Sequence, residues 1–245
     1  MDKEKNITYL NIFENRDIIS IGNCNILDKF AWIEGIRVHP DYHNNGLAQR
    51  LIRLFELTSK KLNLCSIGFS TGTSNIAMNK IARKFNYKLK AVVNVHFLSL
   101  KTINYPKISD LLISNNEEIF HYFKEYQKEN DFIPLSFFGL NLNDDIKDFL
   151  FSNYRFWKAD NFIIVDEINH IENTSKDHHF SIFNDKSYSH NEKSTLLNKL
   201  ILLTNKYKKN KLIVTSTENL DTINNMNKYF NVSRIFRLNY YQKDL

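Results

Sequence analysis

Alternating apolar and polar positions open the chain. Ile7–Phe13 and Asp17–Leu27 are short β-prone runs parted by the turn-like Glu14-Asn15-Arg16. Ala31–Val38 is a third strand, interrupted by Gly35. A glycine inside a strand marks a bulge, or a place where another backbone or a ligand comes close. Pro40 ends that ladder. From Gly46 to about Leu62 the period changes: Leu47, Leu51, Leu54, Phe55, Thr58 and Leu62 recur at helical spacing. Gln49, Arg50, Arg53, Glu56, Lys60 and Lys61 take the other side of that helix. Leu64–Ser70 reads as a buried strand. Thr73 or Ser74 can cap a second helix with Met78, Ile81, Ala82 and Phe85 on its buried face, and Lys88–Leu100 is an alternating strand. The predicted order is β-β-β-α-β-α-β.

Leu100, the polar Lys101-Thr102 and Pro106 mark a boundary, giving domains at 1–102 and 103–245. The second half reads as a strand (Ile108–Ile113), a helix (Asn116–Lys128), the aromatic-rich Phe132–Gly139, a helix (Asp144–Asn153) and the strand Phe162–Val165. An exposed loop over Asn169–His179 follows. Then the first half is echoed. Phe55–Lys60 corresponds to Ile201–Lys206, Ser70-Thr71 to Ser216-Thr217, and Phe85-Asn86 to Phe230-Asn231. The helix-strand-helix-strand order repeats from the helix at Glu192–Tyr207 to the strand Ile235–Tyr241.

With 42% hydrophobic and 13% aromatic residues, 245 residues bury a real core, as one large or two ordinary domains. The net charge of +6 permits an acidic partner, but 33 Lys+Arg are scattered among 27 Asp+Glu. No dense basic block or zinc-finger pattern suggests nucleic acid. Cys24 and Cys65 make no disulfide framework and lack metal-ligand spacing, and Cys65, in an apolar run, reads as core. The start Met1–Asn6 has no apolar leader segment, and no run approaches membrane-spanning length. The expectation is a cytoplasmic protein, without membrane or nucleic-acid partners; the oligomeric state is open.

The candidate chemistry lies at Val38–Leu51, a strand end, a short polar loop, Gly46 and a helix start. Unpaired N–H groups there face one small volume, which suits a phosphate. The residues Val38-x-Pro40-x-Tyr42-His43-x-x-Gly46-Leu47-Ala48-x-x-Leu51 resemble the pyrophosphate loop of GCN5-related N-acetyltransferases (GNAT). Asn75–Tyr87 resembles the family's second signature, an Asn followed by a helix ending near Gly-Phe. The resemblance covers roughly Ile7–Leu100. It implies an acyl-CoA N-acyltransferase fold of the α/β (α+β) class, a mixed central sheet flanked by helices. With the echo it implies two such halves, the second degenerate because Lys186–Asn191 offers no glycine loop. Trp32-x-Glu34-Gly35-x-Arg37-Val38 resembles the histidine N-acetyltransferase type of tandem form.

The resemblance further implies acetyl-CoA as donor. Backbone groups of Ile36, Arg37 and Val38 would pair with its pantetheine arm. The loop His43, Asn44, Asn45, Gly46, Leu47 and Ala48 would hold the pyrophosphate, and Asn75 would bond the amide arm. Three positions depart from the family: His43 replaces Arg or Gln, Ala82 replaces a tyrosine proton donor, and Asn86-Tyr87 replaces Gly-Phe. The family's usual first strand and two helices have no counterpart before Ile7. Either the second half supplies that wall or the protein is truncated.

Acetyl transfer to an amine needs a held thioester, a neutral amine and a route for the proton. Glu34 is the leading candidate base; alternatively it is a strand-face carboxylate paired with Arg37 or a lysine. His39 could take a proton, or simply lie at the surface. His96 reads as a core histidine. Asp177-His178-His179 hints at metal, but adjacent loop residues rarely suffice. No metal site is expected. Two functions follow: an acetyl-CoA-dependent N-acetyltransferase acting on a small amine or amino acid, or an acyl-CoA-binding module without turnover.

Overall fold

The computed structural model describes residues 4–12, 17–101, 116–130, 132–135, 137–140, 142, 146–159, 162–167, 177–184, 190–206, 211–217 and 226–245. They form two compact units. The first comprises Met1–Ala91, Phe137–Asn141 and Asn239–Leu245; the second comprises Val92–Ser136 and Leu142–Leu238.

In the first unit, β1 (Glu4–Ile12), β2 (Ile18–Leu27) and β3 (Phe30–Val38) form an antiparallel meander. After a loop, α1 (Leu47–Lys61) returns the chain to β4 (Ser66–Gly72), which pairs parallel to β3. That crossover is the connection a parallel pair requires. α2 (Ile76–Lys84) and β5 (Lys88–Leu100) follow. The last strand of the chain, β12 (Phe230–Asp244), lies on the other side of β4.

Strand alternation divides the sheet into two faces. Cys24, Ile26, Ala31, Ile33, Ile67 and Phe69 meet Leu51, Ile52 and Phe55 of α1 and Ile81 and Ala82 of α2 in one cluster. Each of these larger side chains contributes roughly 1.5–3 kcal/mol by leaving water. On the opposite face Trp32 packs with Phe30, with Tyr240, and with Phe138 of the short strand β7 (Phe138–Leu140).

Asn79 on α2 ties this unit together. Its amide nitrogen donates to the carbonyls of Gly72, Thr73 and Asn75 at 3.0, 3.1 and 2.8 Å. Its Oδ1 accepts from Asn239 Nδ2 and from the Tyr241 hydroxyl, both at 2.9 Å. A buried Asn is tolerable only when its polar atoms are met in this way.

The second unit contains α3 (Asn116–Asn130), β6 (Ile133–Leu135), α4 (Lys147–Asn153), β8 (Tyr154–Ala159), β9 (Phe162–Glu167), β10 (Asp177–Asn184), α5 (His190–Lys206), β11 (Lys211–Ser216) and α6 (Met226–Tyr229). β8, β9 and β10 are antiparallel neighbours, β10 runs parallel to β11, and β11 runs antiparallel to β5. Leu196, Leu197, Leu200, Ile201 and Leu203 of α5 pack on Leu98, Phe162, Ile164, Phe180 and Ile182. The echo in sequence thus has a structural counterpart: α1-β4-α2-β5 recurs as α5-β11-α6-β12.

Several expectations need correction. Cys65 is exposed, because β4 begins one residue later and Cys65 lies in the preceding turn, its N–H donating to the Lys29 carbonyl at 2.7 Å. Leu62 is also exposed; it terminates α1 rather than belonging to its buried face. The cap of α2 is Asn75, not Thr73 or Ser74, since its Oδ1 accepts from the Met78 N–H at 3.2 Å. His178 and His179 lie on β10, and Tyr154–Ala159 is a strand that the pattern did not predict. The predicted strand at 108–113 lies outside the described residues, as does all of 169–176.

Candidate active site

The site is assembled where β3 leaves β4. Rungs run from Phe30/Ser66 to Ile33/Phe69 and then stop. On its other edge β3 stays with β2, through Asn23/Glu34 and, after an irregularity, Ile21/Arg37 and Ser20/Val38. Two residues of β3, Gly35 and Ile36, stand there against the single Gly22. Gly35 has φ +64°, the left-handed conformation that suits the first residue of such a bulge. The extra residue turns the strand away from β4. Consequently the edge of β3 facing away from β2 has no strand partner among the described residues at Ile36 and Val38, and Ile36, Arg37 and Val38 line a groove.

The loop at the end of β3 is tightly folded. The Pro40–Tyr42 turn carries Tyr42 N–H to the His39 carbonyl at 3.0 Å and His43 N–H to the Pro40 carbonyl at 3.1 Å. His43 Nε2 donates to the Val38 carbonyl at 3.1 Å, so the ring pins loop to strand end. Asn44 and Gly46 both have positive φ, +65° and +75°. Gly46 precedes α1 and no side chain caps it, leaving the first amides of the helix directed outward. A Cβ at Gly46 would meet nothing within 4 Å, so the space beside this glycine is open.

The groove of about 720 Å³ is lined by Ile36–Val38, Tyr42–Asn44, Gly46–Gln49, Asn75 and the α2 residues Ala77, Met78, Lys80, Ile81 and Lys84. All of the expected coenzyme positions except Asn45 therefore meet in one cavity. Asn75 reaches it while capping α2 and donating to Thr71 Oγ1 at 3.0 Å. Gln49, Lys80 and Lys84 were not singled out in the sequence; Lys84 Nζ donates to Gln49 Oε1 at 2.7 Å across the two helices. Their signal, cations spaced i, i+4 on a helix, is common on any exposed face.

Glu34 is exposed on the last rung before the bulge. It pairs neither with Arg37, which donates to the Ile36 carbonyl, nor with a lysine among the described residues. Instead Oε1 accepts from Asn25 Nδ2 at 2.9 Å and Asn23 Nδ2 at 3.2 Å. Alternation puts Glu34 on the face of Trp32, the face that carries Phe138; the neighbouring Phe137 carbonyl accepts from Ser70 Oγ at 2.9 Å.

The remaining candidates lie elsewhere. His39 is half exposed beside Asp41, at 3.7 Å, with its ring 5.7 Å from that of Tyr42. His96 is buried in β5 opposite Val214. His178 and His179 are successive residues of β10. Ala82 is fully buried in the cluster with Phe69, Tyr87 and Tyr241. Cys24 is buried, and desolvation, with Glu34 nearby, pushes its thiol up to about 12.

The model of the Acetyltransferase (GNAT) family matches residues 1–87, the segment that carries the loop and the Asn75 helix. No curated protein matches the sequence. Among solved structures, a candidate acetyltransferase from Thermoplasma acidophilum is similar with a TM-score of 0.56 at 9% identity, over 97% of this chain and 78% of that one. A GCN5-related N-acetyltransferase from Sphaerobacter thermophilus gives 0.54 at 10%, over 97% and 80%. A tandem GNAT protein from the clavulanic acid biosynthesis pathway gives 0.53 at 8%, over 99% and 84%. The fold is therefore that of the acyl-CoA N-acyltransferases across most of the chain. The family match over the loop supports acyl transfer as the class of chemistry. Among the described residues no helix is long and apolar enough to cross a membrane.

Proposed function

We propose that the protein is an acetyl-CoA-dependent N-acetyltransferase that moves an acetyl group to the amine of a small molecule or amino acid by direct attack. The observation that carries this reading is the uncapped, left-handed helix start at Gly46, opening into the same groove as the end of β3 that β4 has left. The loop His43–Ala48 holds the pyrophosphate through backbone amides after His43, whose own N–H is spent on the Pro40 carbonyl, with the positive end of α1 behind them. Ile36, Arg37 and Val38 present to the pantetheine arm the stretch of β3 that β4 has left, and Asn75 offers its amide. When bound, acetyl-CoA supplies an activated acyl carbon. Glu34, through the Oε2 that no described residue holds, takes the proton from the attacking amine directly or through water.

In this reading residues 1–102 form the catalytic half and 103–245 a degenerate half without a pyrophosphate loop. The acceptor class to try first is histidine-like, from the Trp32–Val38 resemblance, and the working compartment is the cytoplasm. Calorimetry with acetyl-CoA followed by thiol release over an amine panel that includes histidine tests the proposal. Absence of coenzyme binding would overturn it. The second reading, an acyl-CoA-binding module, is favoured by the buried Ala82 where the family places a tyrosine; binding without thiol release on any amine supports that one instead.

A further inference from the structure

Asn is unfavourable in strand interiors, yet Asn23 and Asn25 stand at alternate positions of β2. The face that those positions share carries Glu34. Asn23 lies directly opposite it in register, and Asn25 lies two rungs further, opposite Trp32. Asn23 Nδ2 donates to Asn25 Oδ1 at 3.2 Å as well as to Glu34 Oε1, which turns the Asn25 amide so that its own Nδ2 faces the carboxylate. The three side chains close a ring on the last regular rung before the Gly35 bulge.

We infer that Asn23 and Asn25 are positioning residues for the Glu34 carboxylate, holding Oε1 so that Oε2 is presented to the acceptor amine. This rests on the proposed role of Glu34 as base. An exposed glutamate otherwise samples many rotamers, and a base must meet its proton within hydrogen-bond reach. Two donors on one oxygen fix the side chain by that oxygen and leave the other to react. The proton passes from the amine nitrogen to Oε2 as the nitrogen–carbon bond forms and the carbon–sulfur bond breaks; the asparagines gain and lose nothing.

The test is a double-mutant cycle of N25L and E34Q, with N23L in parallel, using acetyl-CoA and the most reactive amine of the panel. Turnover, KM, the calorimetric acetyl-CoA Kd and the melting temperature are measured for each. N25L is expected to lower kcat by roughly tenfold to a hundredfold, the scale on which a misplaced reacting group slows a step. The coenzyme Kd and the melting temperature should hardly move, and N25L should add nothing in the E34Q background. Unchanged kcat in N25L, an additive loss in the double variant, or a coenzyme Kd that rises and a melting temperature that falls together with kcat would each overturn the inference. An inactive E34Q beside a silent N25L sinks the positioning role alone. Full activity in E34Q, or no turnover on any amine, sinks the role of Glu34 and this inference with it.

Discussion

Replacing Gly46 separates backbone strain from ligand contact at the site. Gly46 has φ +75° and ψ 6°, and a Cβ there meets nothing within 4 Å. Alanine therefore brings no clash in the unliganded protein, and its whole cost is the left-handed conformation, about 1–2 kcal/mol. For a chain of this size each kcal/mol lowers the melting temperature by about 2–4 °C, so a drop of about 2–8 °C is expected. Asparagine tolerates the same conformation, and Gly46→Asn should melt close to the unaltered protein. Both variants place a Cβ before the helix amides. If those amides hold a pyrophosphate, losing one charge-assisted bond of about 1.5–3 kcal/mol weakens acetyl-CoA by roughly tenfold to a hundredfold. Scanning calorimetry reads the first effect and titration calorimetry the second. Gly46→Ala melting with the unaltered protein would refute the strain argument. Both variants binding acetyl-CoA at full strength would refute the phosphate cradle.

Gly68→Ala tests the opposite case: its Cβ would lie 2.7 Å from Trp32 Cζ3 and 2.8 Å from the Tyr241 carbonyl oxygen, so overpacking of about 1–3 kcal/mol is expected in urea unfolding. Adding Trp32→Leu should restore only part of that loss, because the carbonyl stays. Asn79→Leu strands the Tyr241 hydroxyl and the Asn239 amide and should cost at least about 2 kcal/mol, Tyr241→Phe about 1. Burial raises the ionisation of Cys24, to about 12 from 9.0, and of Tyr87 and Tyr240 above their ordinary 10.0. The folded protein then keeps protons that the unfolded chain releases, so stability is full below pH 9 and falls as pH rises. Each group adds a slope approaching ~1.4 kcal/mol per pH unit, Cys24 from pH 9 and the tyrosines from pH 10. Urea midpoints that stay flat from pH 8.5 to 11 would contradict this, and Cys24→Ala should delay the onset to about pH 10.

What the sequence determined by itself is local. The change from period two to helical period located β2, β3, α1, α2 and β5 within a few residues, because each buries one face and the pattern records that face. The bulge at Gly35 was legible because it is decided by the residue and its immediate neighbours, and Gly46 was legible as the glycine of the loop; the cap of α2 was read one or two residues late, at Thr73 or Ser74 instead of Asn75. The helix-strand-helix-strand echo was legible as well, since each copy builds one crossover. The rest depends on partners far along the chain. Tyr241 meets Asn79 across 162 positions, and the end of β12, not a segment next in sequence, lies beside β4. Cys65, apolar by its neighbours, is exposed because the sheet register starts β4 one residue after it. The partners of Glu34 were invisible for a different reason. Nothing in β3 distinguishes a carboxylate facing a lysine from one facing two amides; only the pairing of β2 with β3 puts Asn23 and Asn25 beside it.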